Sequence, residues 1–415
     1  MLHLPNLSSN DWRFNVLLEE PANIGSPAEP GTRCARAHRS EIVLEIVDTW
    51  DQFENLRDDW DRLIAAAGAG PQVFQKHSWI WHWWRTFLGP AQRPAIVTGR
   101  RYEQLVLVVP LVAESRFGVR TLSFMGDPVS QYSDIVCDRE AVSSADVLAG
   151  LTLAARAVGA DLLDARRVRE DGALSALLQG EGARVTDVQI APAMNFSDID
   201  SLADIDGRFS GRMRRNRRKK RNRLLEAGEV SFRIVGEGAE ALEIVERALE
   251  LKTGWLAHHG IVSKAFADAR FGDFWRSVAG VGDHAVGLTA SVLELDDQPI
   301  AIELGLRHKS VHCAHVGAFD IAFENLSPGT AQMDALFEAC IADGIESYDM
   351  LAPADSYKQR LADQFVQVRD FVLPLSAKGR ACDLLRLTEG RIIAKAAMNG
   401  LPPSLRKLVK SALGV

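Results

Sequence analysis

The clearest periodicity in the chain lies between residues 285 and 351. Three runs within 285–320 alternate apolar with small or polar residues, and turn residues separate them. This pattern predicts an antiparallel meander of three strands. After the tripeptide Ser327-Pro328-Gly329 the apolar residues recur at helical spacing up to Gly344, which predicts a helix with a glycine C-cap. Residues 345–351 have the pattern of one more short strand.

The first half of the chain shows a similar order of elements. Its patterns predict strand 41–47, helix 50–67, an aromatic helix, strands 95–98, 105–113, 121–125 and 132–136, helix 147–158, strand 161–164 and helix 174–182. No repeat of individual residues accompanies this order. The predicted fold class is therefore α/β (α+β), with two tandem units that each contain a mixed, mostly antiparallel sheet flanked by helices.

The aromatic helix of the first half contains Trp79, Trp81, Trp83 and Trp84. Two interpretations are open: a cage that stacks on a sugar, or a helix that buries its indoles where two domains meet. We favour burial, because aromatic side chains dominate the apolar area of protein cores.

Shifts in composition divide the chain into five predicted segments. We expect a mobile N-terminal tail at 1–40, a first unit at 41–200, a basic linking helix at 201–230, a second unit at 231–375, and a basic helical C-terminal tail at 376–415. The C-terminal tail is expected either to pack on the second unit or to lie on a membrane surface.

Composition narrows the class of protein. The chain has 415 residues and a net charge of −7, so general binding of nucleic acid is disfavoured. Five scattered cysteines without a C-x-x-C pair argue against zinc and against a disulfide scaffold. No apolar run approaches the roughly 18 residues of a membrane span, and the N-terminus lacks the pattern of a secretion signal. We therefore predict a cytoplasmic protein, with peripheral contact at the inner membrane as an open alternative.

The turn at Ser327, Pro328, Gly329 and Thr330 follows a predicted strand and opens a predicted helix. A helix start carries free N–H groups and a partial positive charge, so it is suited to bind pyrophosphate. Gly329 leaves room for close approach of a ligand, and Pro328 restricts the turn. The alternative is a plain capping turn, with Ser327 or Thr330 as the N-cap.

The order of meander, turn, helix and strand resembles the acyl-coenzyme A core of the GNAT acetyltransferases. Finer motifs resemble the CelD/BcsL group of bacterial polysaccharide-linked acetyltransferases, which is structurally akin to the FemABX peptidyltransferases. These motifs are Ala318-Phe319-Asp320, Ser327-Pro328-Gly329, Gly344 followed by Tyr348-Asp349, and Tyr357-Lys358. The resemblance spans residues 41–375. It implies acetyl-coenzyme A as acyl donor, bound by the second unit at residues 327–330, and no metal.

Several side chains near the meander are candidates for general acid–base catalysis. Glu303 lies mid-strand among apolar residues, so burial could raise its pKa toward that of a useful base, unless it faces outward. His315 is either a base or a core histidine, and the core is favoured. Asp349 ends the predicted strand after the helix, where strand ends approach substrates.

The resemblance assigns roles to further residues. It implies that Lys358 faces the reacting carbonyl as an oxyanion or phosphate contact, and that Tyr357 protonates the leaving sulfur. The alternative is a tyrosine packed on the sheet beside a solvated lysine. In the first unit it implies that Tyr132 and Asp134 lie on the acceptor side.

A basic stretch links the two units. Residues 208–223 contain no acid, and their helix propensity is good. One interpretation is that Arg214 and Arg218 contact phosphates of the substrate; the other is a solvated helix that pairs with acids elsewhere. A nucleic-acid role is disfavoured, since no interleaved aromatic residues accompany the charge.

Taken together, the sequence predicts an N-acyltransferase that moves an acetyl group from acetyl-coenzyme A to an amino group. The expected acceptor is a sugar, a sugar nucleotide or a lipid-linked amino sugar in exopolysaccharide production. Two alternatives remain open: an aminoacyl-tRNA-dependent transferase like FemABX, whose basic helix would bind tRNA, and a non-catalytic binding module.

Overall fold

The computed structural model describes residues 42–116, 118–280 and 282–385. The predicted N-terminal tail at 1–40 and the C-terminal tail beyond residue 385 lie outside the described residues. Within the predicted C-terminal tail, a helix is present at Ala377–Leu384.

The described elements begin with the helices, numbered in chain order. They are α1 (Trp50–Glu54), α2 (Arg57–Ala67), α3 (His77–Phe87), α4 (Ser144–Val158), α5 (Ala173–Gly180), α6 (Leu202–Gly207), α7 (Gly211–Leu225), α8 (Ala239–His258), α9 (Lys264–Ala267), α10 (Ala269–Gly280), α11 (Pro328–Ala342), α12 (Ser356–Leu361) and α13 (Ala377–Leu384). Short 3₁₀ helices are present at Gly70–Gln75 and Ile321–Leu326.

The strands are β1 (Val43–Val47), β2 (Gln92–Pro94), β3 (Ile96–Arg101), β4 (Gln104–Val109), β5 (Leu111–Arg116), β6 (Val119–Phe124), β7 (Val136–Cys137), β8 (Leu162–Arg169), β9 (Arg184–Asn195), β10 (Val230–Val235), β11 (Leu288–Leu295), β12 (Gln298–His308), β13 (Val311–Phe319), β14 (Ser347–Asp349) and β15 (Gln364–Pro374). The predicted meander is confirmed as β11, β12 and β13, which pair in antiparallel register. Pro110 separates β4 from β5, because proline cannot donate to the ladder.

The strands form two sheets. One has four strands in the order β1-β3-β4-β7, and the other has eleven in the order β10-β11-β12-β13-β14-β9-β15-β8-β6-β5-β2. Each half of the chain contains one parallel step across a helix, β6 to β8 through α4 and β13 to β14 through α11. The prediction of two related α/β units with mixed, mostly antiparallel sheets is confirmed.

The two halves share their last strands. β9 comes from the first half but pairs with β14 of the second, while β15 comes from the second half but pairs with β8 of the first. β9 and β15 also pair with each other. The large sheet therefore runs without a break through both halves, which the sequence patterns did not predict.

Helix α3 supplies the contact between the halves on one face. Trp79 is fully buried, and its ring lies 4.8 Å from that of Phe274 and 6.2 Å from that of Trp275, both on α10. The Trp79 indole donates to Ser130 Oγ at 2.8 Å, and the Trp83 indole donates to the Asp127 carbonyl at 2.9 Å. Burial of the indoles is thus confirmed for Trp79 and Trp83, and contact with the other half is confirmed for Trp79.

Four histidines, two of them fully buried and two partly buried, predict that acid destabilises the fold. Burial lowers the pKa of His77, His82, His308 and His315 to about 4, because the charged imidazolium is desolvated. In the unfolded chain these histidines have a pKa near 6.5, so the free energy of unfolding has its highest value above that pH. It should fall as pH drops toward 4, by roughly 1.4 kcal/mol per pH unit for each histidine. Urea unfolding at pH 7, 6 and 5 measures this slope.

A single substitution isolates one histidine's share of that slope. His82 contacts Ser277 Oγ at 2.8 Å and the His284 carbonyl at 3.1 Å, and glutamine can replace the second contact. We expect His82→Gln to make the pH dependence shallower, whereas the same change at the exposed His258 should leave it as it is. Identical slopes in all three proteins would show that the buried histidines do not set the acid response.

Candidate active site

Strands β13 and β14 separate at one edge of the meander. They pair in parallel only along Val311–Cys313 and Ser347–Asp349. β13 then continues to Phe319, while β14 ends at Asp349 and the chain turns through Pro353. We call the space between these two arms the fork. Gly317 on the β13 arm is exposed, and a Cβ built there would have no neighbour within 4 Å.

Glu303 lies beside this opening. It is directly opposite Gly317 in the register of β12 and β13, so both residues face the same side of the sheet. Its side chain is buried, with 8% of the residue exposed, so the outward-facing alternative is wrong. His312 Nε2 lies 2.9 Å from Oε1, and the Tyr348 hydroxyl donates to Oε2 at 2.5 Å. Both carboxylate oxygens are therefore held in place by neighbouring side chains.

The His312–Glu303 contact depends on a glycine that the sequence analysis did not single out. A Cβ at Gly305 would lie only 2.3 Å from His312 Cε1, so the missing side chain makes room for the imidazole. The His312 ring also stacks on Tyr348, with ring centroids 5.0 Å apart. A glycine inside a strand often marks such a close approach, and that signal was available in the sequence.

A second polar cluster joins the two halves at the base of the fork. Asp349 accepts hydrogen bonds from the Tyr132 hydroxyl at 2.8 Å and from Arg169 at 2.7 Å, and the backbone N–H of Leu351 adds a third at 2.8 Å. The Arg169 guanidinium also lies 4.8 Å from the centre of the Tyr132 ring. Burial, with Asp349 adding, raises the pKa of Tyr132 well above its usual value, so the phenol stays a donor. The structure thus unites Tyr132 and Asp349 around Arg169, which the sequence analysis missed.

Asp134 has a different setting from Tyr132. Its carboxylate accepts from Gln72 at 2.8 Å and from the backbone N–H groups of Ile135 and Leu174, both at 2.9 Å. It therefore joins its own loop to the start of α5. The prediction of a strand over residues 132–136 is wrong except at Val136, because these side-chain bonds to backbone replace a ladder.

His315 occupies the aromatic core between the halves. Its ring centroid is 4.9 Å from that of Trp275, and Nε2 lies 2.6 Å from the Val129 carbonyl. Burial lowers the pKa of His315 to about 4, so the ring is neutral near pH 7. These surroundings match the favoured interpretation of a core histidine.

Helix α12 brings the Tyr357-Lys358 motif to the other arm of the fork. The Lys358 ammonium donates to the carbonyls of Leu351 at 3.0 Å and Pro353 at 3.2 Å. Burial lowers the pKa of Lys358, although the charges of Asp355, Asp349 and Glu303 oppose that shift. Burial, with Glu303 adding, raises the pKa of Tyr357 to about 12, so its hydroxyl keeps its proton.

An open cleft of about 780 Å³ lies where α7, the start of α11 and α12 meet. It is lined by Ser210, Arg212, Met213, Asn216, Arg217, Lys220, Thr330, Met333, Tyr357, Arg360 and Leu361. In the described part of the chain, the side chains of Arg212, Lys220 and Arg360 have no acid within ion-pair distance. The cleft therefore presents three unpaired cations beside the half-exposed Tyr357.

The start of α11 contributes less than the sequence predicts. Ser327 has a positive φ of 60°, and its carbonyl accepts from the N–H groups of Thr330 at 3.0 Å and Ala331 at 3.3 Å. Pro328 has no N–H, so in the first turn of α11 only the Gly329 N–H lacks a backbone acceptor in the described structure. Of the four predicted cofactor residues, Thr330 lines the cleft.

A buried ion pair sets the orientation of the basic helix. Arg217 is 3% exposed and lies 2.8 Å from Asp206 and 2.7 Å from Asp334 on α11. This contact turns Arg212 and Lys220 toward the cleft. Arg214 and Arg218 are exposed and are not among the residues that line it.

The described residues contain neither a metal-binding cluster nor a membrane-spanning helix. Residues 42–116, 118–280 and 282–385 contain no group of three or more His, Cys, Asp or Glu side chains arranged to hold a metal ion. Within the same ranges, every helix is too short or too polar to cross a bilayer.

Comparison with known proteins agrees with this geometry. Residues 211–359 match the family model of an acetyltransferase (GNAT) domain. The chain is also similar to the solved C-terminal domain of a protein described as a lysylphosphatidylglycerol synthetase from Agrobacterium fabrum, with 13% identity, a TM-score of 0.52, and coverage of 81% of this chain and 96% of that one. For the crystal structure of FemX the identity is 11% and the TM-score 0.54, with coverage of 76% and 96%. No curated protein sequence matches significantly.

The matched domain contains the fork and the lining of the cleft except Ser210, Arg360 and Leu361. It begins at α7 and ends at Gln359 in α12, so it spans Glu303, Asp349, Tyr357 and Lys358. At these identities the two solved structures show the fold alone. The protein is thus an acyltransferase with a GNAT domain in its second half.

Proposed function

We propose that the protein transfers an acetyl group from acetyl-coenzyme A to the amine of a sugar or sugar nucleotide used in exopolysaccharide or cell-envelope production. The observation that carries this proposal is the continuity of the site. The matched GNAT domain contains Arg212 and Lys220 in the α7–α11–α12 cleft and Tyr357 at the wall of that cleft. It also contains Glu303 and Lys358 at the fork, and the charge of Glu303 lies close enough to affect the pKa of both Tyr357 and Lys358.

The cleft suits the phosphates of the donor. Arg212, Lys220 and Arg360 offer positive charge without a competing acid, and the Gly329 N–H adds a backbone donor. The β13 edge beyond Cys313 has no ladder partner in the described structure, so the amide-rich arm of coenzyme A can lie along it like an added strand. The thioester then reaches the fork.

At the fork each residue has one task. Glu303 accepts a proton from the attacking amine, the Lys358 ammonium stabilises the negative charge on the carbonyl oxygen, and Tyr357 donates its proton to the departing sulfur. A C–N bond forms and the C–S bond breaks, and solvent returns the protons. Tyr132, Arg169 and Asp349 hold the two halves together beside the reacting groups.

A second candidate is transfer from an aminoacyl-tRNA. The observation that favours it is the outer face of α7, where Arg214, Arg215, Arg218 and Lys219 are exposed. None of these four has an ion-pair partner in the described part of the chain. Such a face suits a phosphate backbone.

The experiment that decides between the donors offers both to the purified protein. Radiolabelled acetyl-coenzyme A and a mixture of aminoacyl-tRNAs are each incubated with amino sugars, and labelled product and free thiol are measured. We expect product and thiol from acetyl-coenzyme A, formed about 10²–10⁴ times more slowly with Glu303→Gln. Product from aminoacyl-tRNA alone would contradict the proposed donor and support the second candidate.

The charges of the cleft provide a matched test of donor binding. We expect the double variant Arg212→Met, Lys220→Met to weaken coenzyme A binding about 10–100-fold, because each removes one charge-assisted contact with phosphate. The comparison pair Arg214→Met, Arg218→Met removes the same charge from the other side of α7. Calorimetric titration of coenzyme A into both proteins measures the difference. If only the second pair loses affinity, the outer face of α7 binds the donor.

A further inference from the structure

Lys252 on α8 places an ammonium group on the β13 arm of the fork. Its Nζ donates to the Gly317 carbonyl at 2.9 Å and lies 4.8 Å from the centre of the Trp255 ring. In the described part of the chain it has no ion-pair partner. The site described above does not use this residue.

Lys358 places a second ammonium group on the opposite arm, against the Leu351 and Pro353 carbonyls. The two lysines are close enough that the charge of Lys358 lowers the pKa of Lys252, in addition to the larger effect of burial. The charges of Asp355, Asp349 and Glu303 oppose the lowering of the Lys358 pKa, and the charge of Asp355 opposes that of Lys252, but each of these acids is engaged elsewhere or exposed to solvent. Asp349 is paired with Arg169, Glu303 is held by His312 and Tyr348, and Asp355 is exposed.

Two half-buried cations on facing arms are unfavourable unless an anion joins them. The β13 arm is open beside Gly317, since nothing lies within 4 Å of where a Gly317 Cβ would be. The Lys252 ammonium donates its hydrogen bond to a backbone carbonyl. A carbonyl oxygen is a weaker partner for an ammonium group than a carboxylate or phosphate oxygen is. The half-buried Trp255 beside it offers an apolar surface to a ring.

We propose that the fork selects acceptors that carry a carboxylate or phosphate close to the reacting amine, and that Lys252 is the residue that recognises this anion. The inference rests on the proposed acyl transfer, whose acceptor class it narrows. Lys358 contacts the reacting carbonyl and adds to the positive electrostatic potential from the other arm. An acceptor of this class binds Lys252 in place of the Gly317 carbonyl, and its amine then lies on the Glu303 side of the sheet.

Kinetics with three related amines test the proposal. The probes are glucosamine 6-phosphate, muramic acid and glucosamine, which carry a phosphate, a carboxylate and no anion, respectively. For the unchanged protein we expect KM to be at least about tenfold lower for one anionic probe than for glucosamine. Lys252→Met should abolish that difference and leave kcat within about threefold. Lys264→Met, which removes an exposed lysine of α9, should change neither.

The results separate the two anions and the two proposals. A preference for glucosamine 6-phosphate alone assigns a phosphate, and a preference for muramic acid alone assigns a carboxylate. Equal KM values for all three probes, or a preference that survives in Lys252→Met, overturn the inference.

Calorimetric binding of the same probes without acyl donor covers the case in which no acetyl transfer is seen. Anion-dependent binding that Lys252→Met removes, and that the Arg212, Lys220 double variant keeps, would support the acceptor site although the proposed donor is wrong. Binding that is lost in the double variant instead would assign the anion to the cleft.

Discussion

Replacing Glu303 with glutamine is expected to lower kcat for acyl transfer by about 10²–10⁴, the usual contribution of a general base. Glutamine keeps the size of the side chain and one acceptor oxygen for His312 or Tyr348, but it cannot take a proton from the amine. Coenzyme A affinity should stay within a few fold, because we propose that the donor phosphates bind in the cleft, away from Glu303. Steady-state kinetics together with calorimetry of coenzyme A measure both quantities.

A matched variant distinguishes proton transfer from mere packing. Gly305→Ala places a methyl group against His312 and leaves the carboxylate in place, so it should reduce kcat less than Glu303→Gln does and shift the pH profile of kcat. Circular dichroism and thermal unfolding must show that both variants fold. A folded Glu303→Gln protein with unchanged kcat would mean that Glu303 serves only the polar core of the sheet.

The second half of the fold was predictable because its signals are local. The strands of the meander alternate within eight to eleven residues each, and the change to helical spacing after Gly329 needs no knowledge of distant contacts. The alternation left the burial of Glu303 open, because its apolar neighbours Ile302 and Leu304 point to the other face of the sheet. Glu303 is buried because both faces of β12 are covered at this point. Proximity of Asp349 to the site follows from its position at a strand end.

Strand β9 was missed for a physical reason. It contains Pro192, and its Val185 and Val188 are exposed, so it lacks the alternation of a strand with one buried face. Its place between β14 and β15 is decided by pairing with the other half, which no local pattern records. The same holds for Arg169, which meets Asp349 across 180 positions of sequence.

The basic helix shows how one buried contact decides which side chains face a site. The sequence predicted that arginines of this stretch contact phosphate and chose Arg214 and Arg218. The sequence pattern could not determine which face of the helix is buried, because nine of its fifteen residues are charged and they lie on all sides of the helix. The Arg217–Asp334 pair determines that phase, and it turns Arg212 and Lys220 inward.

The second large effect is expected from Lys358→Met, which keeps most of the apolar stem and removes the charge. The ammonium lies at the turn after β14, where Leu351 and Pro353 hold it on the arm that faces Lys252. A cation there stabilises an oxygen that becomes negative only in the transition state, so its loss lowers kcat rather than donor affinity. We expect kcat to fall by about 10²-fold or more, with coenzyme A binding little changed.

Three outcomes of this substitution lead to different roles for Lys358. A fall in kcat alone supports the oxyanion contact, and Lys358→Arg should then recover part of the activity because it restores the charge. A rise in KM for coenzyme A at constant kcat would make Lys358 a phosphate contact, like Arg212 and Lys220 in the proposed cleft. If neither quantity moves, the ammonium only caps the carbonyls of Leu351 and Pro353. The negative charge on the thioester oxygen must then be stabilised by another donor, and Lys252, on the facing arm, is the next cation to replace.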